Sequence, residues 1–147
     1  MPVKSNKVGI VVSLFNRDIT LSLAKAARTY FLNQGYLMEN ILEIQVPGAF
    51  EIPLATQTIL PQVQGVACLG AVIEGDTDHY QYVCESVTQA LTELPLKFNK
   101  PVGFGVLMTK TRAQALERAG TEHNKGEETA QAIHEMIEWL GKFNVGT

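Results

Sequence analysis

Val66-Ala-Cys-Leu-Gly-Ala-Val-Ile73, continued by Glu74-Gly-Asp-Thr-Asp-His79, decides how this chain folds. The first eight residues carry no charge and are small or branched, the pattern of a strand buried on both faces of a parallel sheet. At Gly75 the text turns polar, and Asp78 with Gln81 three residues on has the form of a capping box. Val83, Val87, Ala90, Leu91 and Leu94 then fall on one helical face.

The same succession of buried strand, turn and helix runs along the whole chain. Val8-Gly-Ile-Val-Val-Ser-Leu14 is another near-continuous apolar run, followed by Ile19, Leu23, Ala26, Ala27, Tyr30 and Phe31 at helical spacing and by Gly35 as a stop. A second strand is predicted over 41–46 and closes at Pro47-Gly48. A short helix over 52–60 tolerates Pro53 in its first turn and has Glu51 near its positive end. A fourth strand is predicted over 101–108, a short helical segment over 112–119, and a last helix from near Gly126, striped by Ala130, Ile133, Ile137 and Leu140. Strands that alternate with helices pair in parallel through right-handed crossovers, so the expected fold class is α/β: a three-layer α/β/α sandwich around a four-stranded parallel sheet. No linker, repeat or low-complexity tract divides the 147 residues, which are read as one domain with residues 1–7 as a flexible arm. A chain of this length buries roughly 68–70% of its unfolded surface, enough for one core.

The bulk composition excludes several classes of function. The hydrophobic share is 46% and the charged share 18%, with a net charge of −3, as in an ordinary globular domain. The absence of a Lys/Arg cluster or basic helix face argues against nucleic acid. Cys68 and Cys84 lie far apart with no C-x-x-C, as reduced thiols would. No apolar run approaches the ~20 residues of a membrane span, and the opening MPVKSNK is too polar and short for a signal peptide, so a cytoplasmic protein is expected. His, Cys, Asp and Glu show no zinc or iron spacing, which leaves Asp76 with Asp78 as the one metal alternative.

In sheets of this kind ligands bind beyond the carboxyl ends of the strands. Those ends are Phe15-Asn16, residues 47–51, residues 74–79 and Met108-Thr109. Gly75 and Thr77 before a helix form either a small anion seat or a plain connection. Glu74, Asp76 and Asp78 would each repel a phosphate by roughly 1 kcal/mol at 4 Å in water, so an anion site needs a cation from elsewhere. Arg118 and Lys125, near the start of the last helix, are the candidates, with a solvated charge pair as the alternative. His79 falls outside its helix's apolar stripe and is either a solvated side chain or a general acid/base, a task its ordinary pKa near 6.5 suits. His123 falls in a polar loop and His134 on the outer face of the last helix. Phe50-Glu51 is held between Pro47 and Pro53. Phe50 is either core or, with Phe15 and Phe104 at neighbouring strand ends, a platform for a flat heterocycle.

Together these segments resemble the lumazine synthase family. The matching text is Phe15-Asn16, Val46-Pro-Gly-Ala-Phe-Glu-Ile-Pro53, Leu69-Gly-Ala-Val-Ile73, Gly75-x-Thr-x-His79, Pro101-Val-x-Phe-Gly-Val-Leu107, Gln114-Ala-x-Glu-Arg-Ala-Gly120 and Asn124-Lys-Gly126, spread from Val8 to about Leu140. The resemblance implies a flavodoxin-like fold and a transferase of the penultimate step of riboflavin biosynthesis. That enzyme condenses 5-amino-6-(D-ribitylamino)uracil with 3,4-dihydroxy-2-butanone 4-phosphate to 6,7-dimethyl-8-ribityllumazine, without cofactor or metal. It further implies that Phe15 stacks on the pyrimidine with Asn16 beside it as a further substrate-binding residue, that Ala49, Phe50 and Glu51 meet the ribityl chain, and that Ala71, Val72 and Ile73 contact the ring edge. Asp76 and Thr77 would seat the phosphate with Arg118, His79 would carry protons, Phe104 would close the ring pocket, and Lys125 would lie near the ribityl or phosphate end. Family members form pentamers with active sites between subunits, some closing into hollow shells, and Phe104, Arg118 and Lys125 are then expected from the neighbouring chain. Glu74 stands where the family commonly has a basic residue, the text before the first strand lacks the extra N-terminal strand many members carry, and residues 120–124 are slightly short. A lumazine- or flavin-binding protein without turnover and a structural shell protein are the competing expectations.

Overall fold

A computed structural model describes residues 6–75 and 79–143. In chain order it contains β1 (Val8–Ser13), α1 (Arg17–Asn33), β2 (Ile41–Val46), α2 (Ile52–Ile59), β3 (Val66–Ile73), α3 (His79–Phe98), β4 (Val102–Thr109), α4 (Arg112–Arg118) and α5 (Lys125–Phe143). Single turns of 3-10 helix lie at Met38–Asn40, Ala49–Glu51 and Leu60–Gln62. The strands pair in parallel in the order β2-β1-β3-β4, as the alternating pattern predicts.

Period-two alternation distributes each strand between the two faces of the sheet. Val8, Ile10 and Val12 of β1 and Ala67, Leu69 and Ala71 of β3 face α1 and α5, where Leu23, Ala27, Phe31, Ala130 and Ile133 complete one core cluster. Val11, Val66, Cys68 and Val106 face α2 and α3 and pack with Ile52, Ile59, Val87, Leu91 and Leu94 in the other. Helices on both faces thus make the three layers.

Local chemistry sets the boundaries. Helix α1 stops in a Schellman motif: Gly35 adopts φ +99, its N–H donates to the Leu32 carbonyl, and the Tyr36 N–H donates to that of Phe31. The Tyr36 ring then packs edge-on to Phe31 with centroids 5.3 Å apart. The short helix predicted over 52–60 ends at Ile59 and tightens into 3-10 geometry, because Pro61 has no N–H to continue the α ladder. Lys7, inside the arm expected to be flexible, accepts a bond from the Gln64 N–H at 2.8 Å. Residues 1–5 of that arm, and Asp78 of the expected capping box, lie outside the described residues.

Two placements correct the sequence reading. His134 is not on the outer face of α5: its side chain is largely buried, and its Nδ1 lies 3.0 Å from the Tyr36 hydroxyl in an edge-on cluster with Tyr30 and Tyr36. A helix wide enough to pack on both α1 and the sheet buries more than one stripe, and a polar residue on that wider face finds a polar partner. Phe104 is not at a strand end but is the third residue of β4, paired in register with Cys68. The edge position of β4 leaves it partly exposed.

Candidate active site

The carboxyl ends of β1, β2 and β3 enclose a cavity of about 420 Å³. Its lining includes Phe15, Ala49, Phe50, Glu51, Ala71, Val72, Ile73 and His79, together with Tyr80 and Val83 of α3. Phe15 is 71% exposed and Phe50 63%, so neither ring is core and both are presented to the opening. The backbone holds them there. Leu14 N–H donates to the Val46 carbonyl at 2.8 Å and Phe15 N–H to that of Pro47 at 3.0 Å, extending the β1–β2 ladder into the loops. Glu51 Oε1 accepts from the Gly48 N–H at 2.9 Å, closing its own turn and fixing the carboxylate at the cavity rim. His79 begins α3 and is exposed. Burial, then Cys84 and Glu74, push the Tyr80 hydroxyl up from its ordinary pKa.

Asn16 is not part of that lining. It occupies the left-handed region with φ 63 and ψ 47, and its Nδ2 donates to the Ala71 carbonyl at 3.0 Å. Glu74 donates its N–H to the Thr109 carbonyl at 2.9 Å, which carries the β3–β4 pairing past the strand, and its side chain is exposed. Asp76 and Thr77, expected at the phosphate seat, lie outside the described residues.

Phe104, Arg118 and Lys125 line a second cavity of about 810 Å³, formed by β4, α4 and α5. Among the described residues, none lines both cavities. Arg118 Nη1 donates to the Gln114 carbonyl at 2.8 Å, laying the guanidinium along its own helix. Lys125 lies 3.8 Å from Glu128 in an i,i+3 pair that is half exposed and therefore weak. The Thr111 hydroxyl accepts from the Gln114 N–H at 3.1 Å while the Gln114 side chain accepts from Thr111, a reciprocal cap that starts α4.

Asn124 enters the sequence reading only within a motif, although an Asn before a helix signals an N-cap. Its Oδ1 accepts from the Gly126 N–H at 2.8 Å, and its Nδ2 donates to the carbonyls of Ala119 and Gly120, both at 3.1 Å. Ser22 of α1 also donates to the Ala119 carbonyl, at 2.8 Å. These bonds set the loop between Arg118 of α4 and Lys125 of α5 against α1. His123, Glu117, Glu122 and Glu128 line the same cavity, so its cations stand among carboxylates.

One apolar cavity with two aromatic rings, a carboxylate and a histidine suits a flat, hydroxylated ligand and proton transfer; the other supplies an Arg and a Lys for an anion. Among the described residues no three His, Cys, Asp or Glu are grouped to hold a metal ion, and no helix is long and apolar enough to cross a membrane.

Residues 5–140 match the family model described as 6,7-dimethyl-8-ribityllumazine synthase. The chain is 50% identical over 133 residues to the 6,7-dimethyl-8-ribityllumazine synthase of Bdellovibrio bacteriovorus, covering 89% of this chain and 73% of that protein. It is 43% identical over 141 residues to the protein of the same name from Cytophaga hutchinsonii, covering 93% of this chain and 89% of the relative. It is 40% identical over 148 aligned residues to that from Coxiella burnetii, with coverage of 99% and 98%.

Proposed function

Because this chain belongs to the 6,7-dimethyl-8-ribityllumazine synthase family, we propose that it condenses 5-amino-6-(D-ribitylamino)uracil with 3,4-dihydroxy-2-butanone 4-phosphate, releasing phosphate and water. The observation that carries this is the shared cavity: the two exposed rings, the Glu51 carboxylate, the β3 edge and His79 converge on one opening. In it Phe15 stacks on the pyrimidine, Phe50 and Glu51 meet the ribityl chain, and the backbone of 71–73 borders the ring edge. His79 moves protons during imine formation and phosphate loss. The substrates are an amine and a carbonyl compound that already carries its leaving group, so alignment supplies much of the rate without metal or organic cofactor.

The phosphate end is taken by Asp76, Thr77 and Arg118, with Lys125 beside it and Phe104 closing the ring pocket. Arg118 and His79 line separate cavities of one chain, which supports an active site completed by a second copy, as in a homopentamer. The setting in this reading is the cytoplasm, consistent with Cys68 and Cys84 as free thiols.

Mixing the two substrates with purified protein and following lumazine absorbance tests the function. Turnover above the spontaneous reaction is expected, whereas tight lumazine binding with no added rate would make the chain a binding protein. Analytical ultracentrifugation reads the assembly, and a monomer would remove the shared site.

A further inference from the structure

Asn16 stands at the N-cap of α1 yet makes no side-chain cap. Asn at that place ordinarily turns its side-chain oxygen onto the helix's first N–H groups. Here the backbone carbonyl of Asn16 accepts from Ile19 and Thr20, at 2.9 and 3.0 Å, and the side chain is directed across the sheet to Ala71. It is also one of two non-glycine residues with positive φ among the described residues, a conformation Asn tolerates better than most.

Where this bond falls explains its use. The β1–β3 pairing ends at Val12 with Leu69, yet β3 runs on to Ile73 and β1 continues into the turn that bears Phe15. Beyond Leu69, β4 holds the other side of β3 as far as Ile73 with Thr109. On the β1 side the bond from Asn16 spans the gap. The left-handed turn follows Phe15 directly, and the amide fixes that turn to the strand end that lines the same cavity as the Phe15 ring.

Resting on the proposed condensation, we infer that Asn16 is a positioning residue: by bonding the Ala71 carbonyl it sets the spacing between the Phe15 ring and the 71–73 edge, the slot that takes the pyrimidine. Asn16 acts through these two walls and not by touching the phosphate substrate.

Asn16→Gly keeps the left-handed turn and removes the amide, and Asn16→Asp keeps the shape but faces the carbonyl with an oxygen. For each variant, KM of both substrates, kcat, the melting temperature and fluorescence-monitored binding of 6,7-dimethyl-8-ribityllumazine are measured. Asn16→Gly is expected to raise KM for the pyrimidine and weaken lumazine binding by about tenfold, the worth of one hydrogen bond. KM for the phosphate substrate and kcat should stay within about twofold, and the aspartate variant should be worse than the glycine. An unchanged pyrimidine KM in Asn16→Gly would overturn the inference. So would a parallel rise of both KM values with a lower melting temperature, the mark of general loop damage. Wild-type protein that neither binds nor makes the lumazine would instead remove the proposed function, and the inference with it.

Discussion

A Cβ built on Gly126 would stand 2.0 Å from the carbonyl oxygen of Leu23 and 2.7 Å from its carbonyl carbon. The first turn of α5 is pressed onto the backbone of α1, and a methyl group there meets main chain that no rotamer change relieves. Gly126→Ala is therefore expected to destabilise the protein by about 3 kcal/mol, or roughly 6–12 °C in a chain of this size. Gly141, in the same helix with nothing within 4 Å of an added Cβ, is the control. Gly141→Ala should be neutral or stabilising by up to about 1 kcal/mol. Thermal unfolding of the two variants checks the contrast.

Arg118→Ala should raise KM for the phosphate substrate by at least about tenfold, the loss of a charge-assisted contact, and leave the pyrimidine KM alone. Steady-state kinetics with each substrate varied in turn reads the split, and an unaltered phosphate KM would refute the clamp.

His79→Ala should lower kcat by about 100-fold, the usual worth of a positioned proton carrier. A melting curve of the same variant separates lost proton transfer from lost folding.

Co-expressing the His79→Ala and Arg118→Ala chains tests whether the site spans two copies. Random mixing in a ring pairs an intact His79 with an intact Arg118 in about a quarter of the sites, so with the phosphate substrate held well below its KM activity should rise above either variant alone. Mixed assemblies no more active than their parents would place both residues in a site within one chain.

Alkaline pH should unfold the protein in a definable window. Burial, then Glu138 and Tyr30, push the Tyr36 hydroxyl up from 10.0 to about 12, and burial pushes the Cys68 thiol up from 9.0 to about 12 against a bond from Thr56. The fold favours the protonated forms. Their contribution is thus fully present below the unfolded values and is lost as pH rises from about 9 for the thiol, and 10 for the phenol, through 12. Denaturant titrations at pH 8, 10 and 11.5 should show the decline. Tyr36→Phe should lose about 1 kcal/mol at neutral pH with the His134 bond, and decline less steeply above pH 10.

Much of this architecture was legible because its signals are local. The apolar runs at 8–14 and 66–73, the stripe from Val83 to Leu94, and Gly35 as a stop each report the surroundings of a few consecutive residues, and the elements appear where those patterns put them. The exposure of Phe15 and Phe50 was not legible, since an aromatic ring after a strand carries the same text whether it packs inward or faces solvent. His134 reads as external because it falls beside, not within, the apolar stripe of Ala130, Ile133, Ile137 and Leu140. Asn16 was visible as part of a motif, but the target of its amide lies 55 residues away.

By itself the sequence determined the number, kind and order of the strands and helices, since hydrophobic period and turn chemistry act within a few residues. The tertiary structure decided which loops meet. With strand order β2-β1-β3-β4, the ends of β1 and β3 are neighbours, so Phe15 and His79 share a cavity, while Arg118 and Lys125 open onto another beside the edge strand. Strand order follows from how each crossover helix packs on the sheet, a balance of contacts between residues far apart in the chain, and no local pattern encodes it.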